Sequence, residues 1–463
     1  MKDAAMTEAH PPGAQPAAVA PLWRRYLAFL GPMIFSNFLQ SVSGTVNNIY
    51  LGQMLGVKAM AAVSAFFPVQ FFLITFMIGL GSGASVLIGQ AWGAKEPDRV
   101  RAIAGTTLMT GLAAGLVVAV FGGGFAERML VTLGTPPDIL PEATAYARIM
   151  LFAAPGVFVF LLVTSMLRGV GDTRTPLLTL LISTAVGLLA TPALILGWLG
   201  LPPLGVTSGA WAAVASFLIA LGWTARHLRR KQHALAPDAA FRRHLRIDRA
   251  LLAKVLRIGL PTGLSMMTVA IAEISVLFLV NRFGSQATAA YGAVNQIVSY
   301  VQFPAISIAI TASILGAHAI GAGRTHTLGA IARTGLLMNL VLTGSFVVAG
   351  YLLSRPVIGL FITDPVVVEM AQTLLHIMLW SSVIMGMSMV LSGLMRASGT
   401  VLVPTALSML AIGGIQVTLA WLLSSRYGLN GIWAAYPVAF LCMLAMQSAY
   451  YRLVWRKRPI RRL

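Results

Sequence analysis

Charge is what this sequence has least of. Aspartate, glutamate, lysine and arginine make up 10% of its 463 residues, against roughly 25% in a soluble globular chain. Too few polar side chains remain to cover a surface facing water, which excludes an ordinary soluble domain. Acids are scarcer than bases, 13 against 33, and none form a hydrolytic pair. Cysteine occurs once, at Cys442 inside an apolar run, so no intrachain disulfide forms and the redox compartment goes unmarked. A His-rich metal cluster and a nucleophile constellation are both missing. GLGSG at 79–83 superficially suggests a phosphate loop, but no strand precedes it and no Lys-Ser/Thr follows.

Long apolar runs are what the chain does have. Segments of roughly 20 residues, enough to cross hydrocarbon as helices, recur at 27–51, 59–88, 100–123, 137–165, 175–197, 205–227, 256–281, 287–317, 328–352, 366–394, 402–424 and 429–453. That pattern predicts an all-α membrane protein of twelve spans. The formal charge of +20 does not point to nucleic acid, because of where the charges fall. Of 33 Lys and Arg, 27 lie on one side of the spans; Lys58, Arg128, Arg148, Arg282, Arg355 and Arg426 lie toward the other. This is the positive-inside bias. It puts both termini in the cytoplasm and assigns the basic clusters to anionic lipid. The Ala/Pro-rich opening residues read as a disordered tail without the apolar core of a signal peptide.

The chain is also a duplication. Shifted by 228 positions, the halves align without a gap for nearly 150 residues, pairing Gly31 with Gly259, Gly56 with Gly284 and Arg168 with Arg396. GAWAA (209–213) recurs as GIWAA (431–435) at a shift of 222. Six spans per repeat is an even number, so the halves share one orientation. They should form two six-helix bundles related by a pseudo-two-fold axis along the membrane normal, the parallel-repeat plan of some transporters. The expected divisions are a tail over 1–23, a first lobe over 24–228, a basic linker over 229–250, a second lobe over 251–455 and a basic tail over 456–463.

Of the acids, only Glu273 lies deep in a span, nine residues from Arg282, which is roughly 13 Å at 1.5 Å per residue. A charge there costs about 3 kcal/mol or more, so such acids face a bundle interior or a wet cavity. A glutamate neutral when occluded and ionised when wet can carry a proton; with oxygen neighbours it can hold Na+. The plainer alternative is a protonated glutamate hydrogen-bonded between helices. His376 lies at comparable depth and is the expected partner. Asn295, Gln296, Tyr300 and Gln302 form a polar band in the eighth span, and Gln416 adds an amide in the eleventh. Such groups serve as helix-to-helix glue or as a cleft lining.

SVSGTVNNIYLGQMLGVKAMAAVSAFFP, GLGSGASVLIGQAWGAKEPDRV and the repeated MLRGVGDTRTP and LMRASGTVLVP resemble the multidrug and toxic compound extrusion family over about residues 24–455. The resemblance implies a two-lobed secondary antiporter that expels lipophilic, often cationic compounds in exchange for H+ or Na+. It also implies that Asn47 stands where many members carry an acid, so Asn47 and its neighbour Asn48 should face the cleft. Tyr50 and Phe71 are aromatic candidates for cation contact. The family's fifth-span Asn and Asp fall at Gly187 and Thr191, and a tenth-span acid falls near Met385. Glu273 matches the seventh-span acid of one branch.

The expected protein is thus a monomeric, multi-pass efflux antiporter of a bacterial inner membrane. It would use an ion gradient and no cofactor, take small lipophilic cations, touch membrane lipids and bind no nucleic acid. The alternatives are a flippase for lipid-linked or polysaccharide intermediates and, remotely, a membrane-embedded enzyme. Glu273 and His376 are the expected ion-coupling residues.

Overall fold

A computed structural model describes residues 21–200, 203–361 and 364–463; most of the opening tail lies outside them. Among the described residues the chain is helical from end to end, without strands. The first six spans are α1 (Leu22–Tyr50), α2 (Val57–Gly93), α3 (Pro97–Thr132), α4 (Leu140–Phe152 and Ala154–Gly169, bent by 53°), α5 (Arg174–Leu196) and α6 (Thr207–Arg230). The second six are α7 (Arg249–Asn281), α8 (Ser285–Gly321), α9 (Leu328–Leu352), α10 (Pro365–Met378 and Ser381–Ala397, bent by 40°), α11 (402–427) and α12 (429–453). The last two are one unbroken helical run except at Gly428, which turns the chain with φ 59° and ψ −139°. Gln447 of α12 then donates to the Pro404 carbonyl of α11 at 2.7 Å, as an antiparallel hairpin requires.

Helix ends follow from the scattered acids and glycines. Asp248 accepts from Ala250 and Leu251 at the start of α7, Asp364 from Val366 at the start of α10, and Asp172 from Arg174 and Thr175 at the start of α5. Each carboxylate satisfies amides that the first turn leaves open. Gly56 and Gly284, matched by the repeat, take positive φ of 84° and 97° just before α2 and α8, a conformation closed to most side chains.

The duplication is visible helix by helix. α2 and α8 are both 37 residues long, and each begins and ends 228 positions from the other. About half of the helices extend a turn or more beyond the apolar runs, because helix continues through the polar residues at the interface. Pro32 and Pro261 lie inside α1 and α7 rather than at breaks.

The two lobes meet along one half of their length, the half carrying most Lys and Arg. Glycines make the approach possible. A β-carbon on Gly79 would lie 2.6 Å from the Gly259 carbonyl, and one on Gly83 would run into the Val255 carbonyl, so α2 and α7 touch backbone to backbone. Gly93 and Gly321 do the same for α2 against α8, with His318 and Gln90 opposite them. Tyr26 of α1 is fully buried and donates to the Ile331 carbonyl of α9 at 2.9 Å. Asn37 of α1 donates to Ser307 of α8 at 3.1 Å, and His318 bonds the Gly169 carbonyl at 2.8 Å. The linker between lobes carries one short helix, Ala239–Arg242, and binds the first lobe through Thr106 Oγ1 to the Arg246 carbonyl at 3.1 Å.

Candidate functional site

α7 has two unlike faces. Ile271, Ile274 and Phe278 are each more than 60% exposed and form its lipid side. Thr262, Ser265, Met266, Val269 and Glu273 follow at helical spacing on the other side, where they line a cavity of about 560 Å³ within the second lobe. α8, α10, α11 and α12 supply the remaining wall. Methionines Met378, Met385, Met389 and Met443 give it a deformable apolar surface, and a row of serines lies among them.

Glu273 is half-buried, and its carboxylate is not left to lipid or to a dry core. Glu273 Oε2 accepts from the Tyr436 hydroxyl at 2.9 Å and from the Tyr291 hydroxyl. Those two hydroxyls are 3.0 Å apart, and either can donate to the other. Tyr291 is held by stacking on buried Trp433, with ring centroids 5.5 Å apart and planes 7° from parallel; Tyr436 meets Phe440 edge-on. Three helices, α7, α8 and α12, therefore converge on one acid.

This triad has a definite chemistry. An ionised carboxylate only accepts, so both phenols point their hydrogens at it. When Glu273 takes up a proton it becomes a donor, and one hydroxyl must turn to accept. The contact between Tyr291 and Tyr436 lets that hydrogen pass to the neighbour. The site thus has two fully bonded arrangements that differ by one proton.

All three members depart from the internal repeat. Glu273 falls on Thr45 and Tyr291 on Val63 at the shift of 228, and Tyr436 falls on Val214 at the shift of 222. Neither tyrosine stands out in the sequence, because a tyrosine in an apolar helix resembles packing. The available signal was the coincidence of a new acid and two new hydroxyls in the same repeat.

The polar band is partly gathered here. Asn295, Gln296 and Gln302 of α8 and Gln416 of α11 all line the cavity with Glu273. Gln416 is 1% exposed, and its amide nitrogen lacks a partner among the described residues. Arg396, at the end of α10, also lines the cavity and donates to Ser82 of α2 at 3.3 Å.

Other candidates lie elsewhere. His376 does not meet Glu273: it is exposed, its ring lies beside Tyr351 at 5.2 Å between centroids, and its carbonyl accepts from that tyrosine. Tyr300 packs between Phe38 and Phe303, off the cavity wall. Asn47 belongs to the first lobe, where its side-chain oxygen accepts from Thr191 at 3.3 Å. Asn48 is exposed and Tyr50 half-buried at the same helix end, and Phe71 is exposed beside Phe67 on α2. None of these four joins the Glu273 cavity. Met385, at the tenth-span position where some relatives carry an acid, does line it.

Comparison with known proteins reproduces the duplication. The family model described as MatE matches twice, over residues 32–192 and 261–422. A "probable multidrug resistance protein YoeA" of Bacillus subtilis (strain 168) is 43% identical over 444 residues, covering 96% of each chain. The "multidrug export protein MepA" of Staphylococcus aureus (strain N315) is 22% identical over 435 residues and 94% of each chain. Among solved structures, an outward-facing multidrug resistance MATE family transporter of the MOP superfamily superposes with a TM-score of 0.86 at 20% identity. That match covers 93% of this chain and 95% of the other.

Proposed function

Because the chain belongs to the MatE family of multidrug efflux transporters, we propose that it exports lipophilic, often cationic compounds in exchange for protons, with Glu273 as the group that couples the two. The supporting observation is a solitary carboxylate, ringed by two tyrosine hydroxyls, in the wall of a cavity large enough for a drug-sized molecule. A bound cation and a bound proton both neutralise that carboxylate. Each therefore disfavours the other, which is the condition for antiport. Two hydroxyls that can donate to the ionised acid and accept from the protonated one support a proton as the coupling ion.

Alternating access follows from the same reading. The positive-inside rule places the basic half in the cytoplasm, so the glycine seam closes the cytoplasmic side. The chain is then outward-facing, ready to release cargo and accept a proton. Rocking one lobe against the other opens the opposite side.

The test is efflux of tetraphenylphosphonium from proteoliposomes under separately imposed proton and sodium gradients. The proton gradient alone should drive transport, and Glu273→Gln should abolish it while the protein stays monodisperse. Full activity in the Gln variant, or drive by sodium alone, would overturn the assignment.

A further inference from the structure

The seam on the basic side is crossed by a segment of the chain that belongs to neither bundle. After α12, residues 455–463 fold back across the end of α2, the start of α3 and the end of α10. On the second lobe, Trp455 is buried and its indole N–H donates to Ser398 at 2.9 Å, while the Leu463 side chain fills the space beside Gly399. On the first lobe, the Leu463 amide donates to Gln90 Oε1 at 2.9 Å, Arg99 donates to the Leu463 carbonyl at 2.6 Å, and Arg462 makes a two-pronged ion pair with Glu96. Gln90 is the junction: it is 1% exposed, and its Nε2 donates across the seam to the Ala397 carbonyl at 2.7 Å.

From this geometry we propose that residues 455–463 form a strap that holds the two lobes together on the basic side and must release the first lobe each time the cavity opens there. The proposal rests on the alternating-access reading above. Separating α2 from α10 breaks the bond between Gln90 and Ala397. It also carries Gln90, Glu96 and Arg99 away from a segment covalently joined to the second lobe. Either Arg462 and Leu463 let go or the seam stays shut. The strap thus sets the balance between the two states without touching cargo. Its ion pair persists at neutral pH, because the Arg462 guanidinium holds the Glu96 carboxyl below its usual range. A carboxyl lowered in this way loses the interaction only on acidification through that lowered value.

The test is the separation of two spin labels across the basic face, at Arg230→Cys on α6 and His326→Cys before α9, in a Cys442→Ser background in nanodiscs. Both positions are exposed. Arg462→Glu, and separately deletion of residues 459–463, should raise the ratio of separated to closed lobes by roughly tenfold, as expected for losing a hydrogen-bonded charge. Adding Glu96→Arg to Arg462→Glu should restore the closed population, which a general folding defect would not do. Two populations whose ratio ignores both strap variants, or a swap that fails to restore closure, would overturn the strap alone. A single unchanging distance in every variant would overturn alternating access and the strap with it.

Discussion

Glu273, Tyr291 and Tyr436 are mutually bonded, so none of the three can be altered independently. Removing one hydroxyl leaves the carboxylate with one donor and the other phenol without a neighbour. A hydrogen bond to a charged group contributes about 1.5–3 kcal/mol. Tyr291→Phe and Tyr436→Phe should each lower gradient-driven efflux by roughly an order of magnitude or more. The double variant should lose less than the two losses combined, because once Glu273 is protonated one hydroxyl donates to the other. Initial rates in everted vesicles for the four proteins would measure that coupling; strictly additive losses would mean the tyrosines act apart. Glu273 itself was legible in the sequence, since a lone charge in an apolar run must be accommodated. Its partners were not, because they lie 18 and 163 residues away and meet it only through packing. The pairing with His376 failed for a related reason. Depth along a span says nothing about which side of the helix a residue faces, and His376 sits on the exposed side just before the bend in α10.

At the scale of elements, glycine decides where helices approach. GLGSG on α2 owes its pattern to Gly79 and Gly83 facing α7 and to Gly81 facing Ser165 of α4. The smallest possible side chain at Gly83 meets a backbone carbonyl that cannot swing aside. Gly83→Ala should therefore destabilise the closed seam by about 1–3 kcal/mol, the usual cost of overpacking. A fluorescence-based unfolding scan should show a midpoint lowered by a few degrees. Gly31→Ala on α1, where nothing lies within 4 Å, should leave the midpoint unchanged or raise it; equal effects at both positions would contradict the packing account. The number and order of helices were readable from apolar length alone. Their bends were not, since those in α4 and α10 lie inside continuous apolar sequence; the turn at Gly428 falls in the polar stretch that separates the last two apolar runs.

At the scale of the whole molecule, duplication supplies the scaffold and divergence supplies the function. The shift of 228 gave α2 and α8 identical lengths and matched the glycines before them. The acid and its hydroxyls are present in one repeat only, so the proposed proton site lies in one lobe and has no counterpart in the other. Which end of the cleft is closed could not be read from the sequence, because the same residues must permit both states. The central claim is that proton and cargo compete for Glu273, and proton release tests it most directly. With the protein in nanodiscs and a weakly buffered medium acidified until Glu273 carries its proton, saturating tetraphenylphosphonium should expel close to one proton per molecule bound, and Glu273→Gln should bind the cation without releasing any. Equal proton release from both proteins would contradict the account.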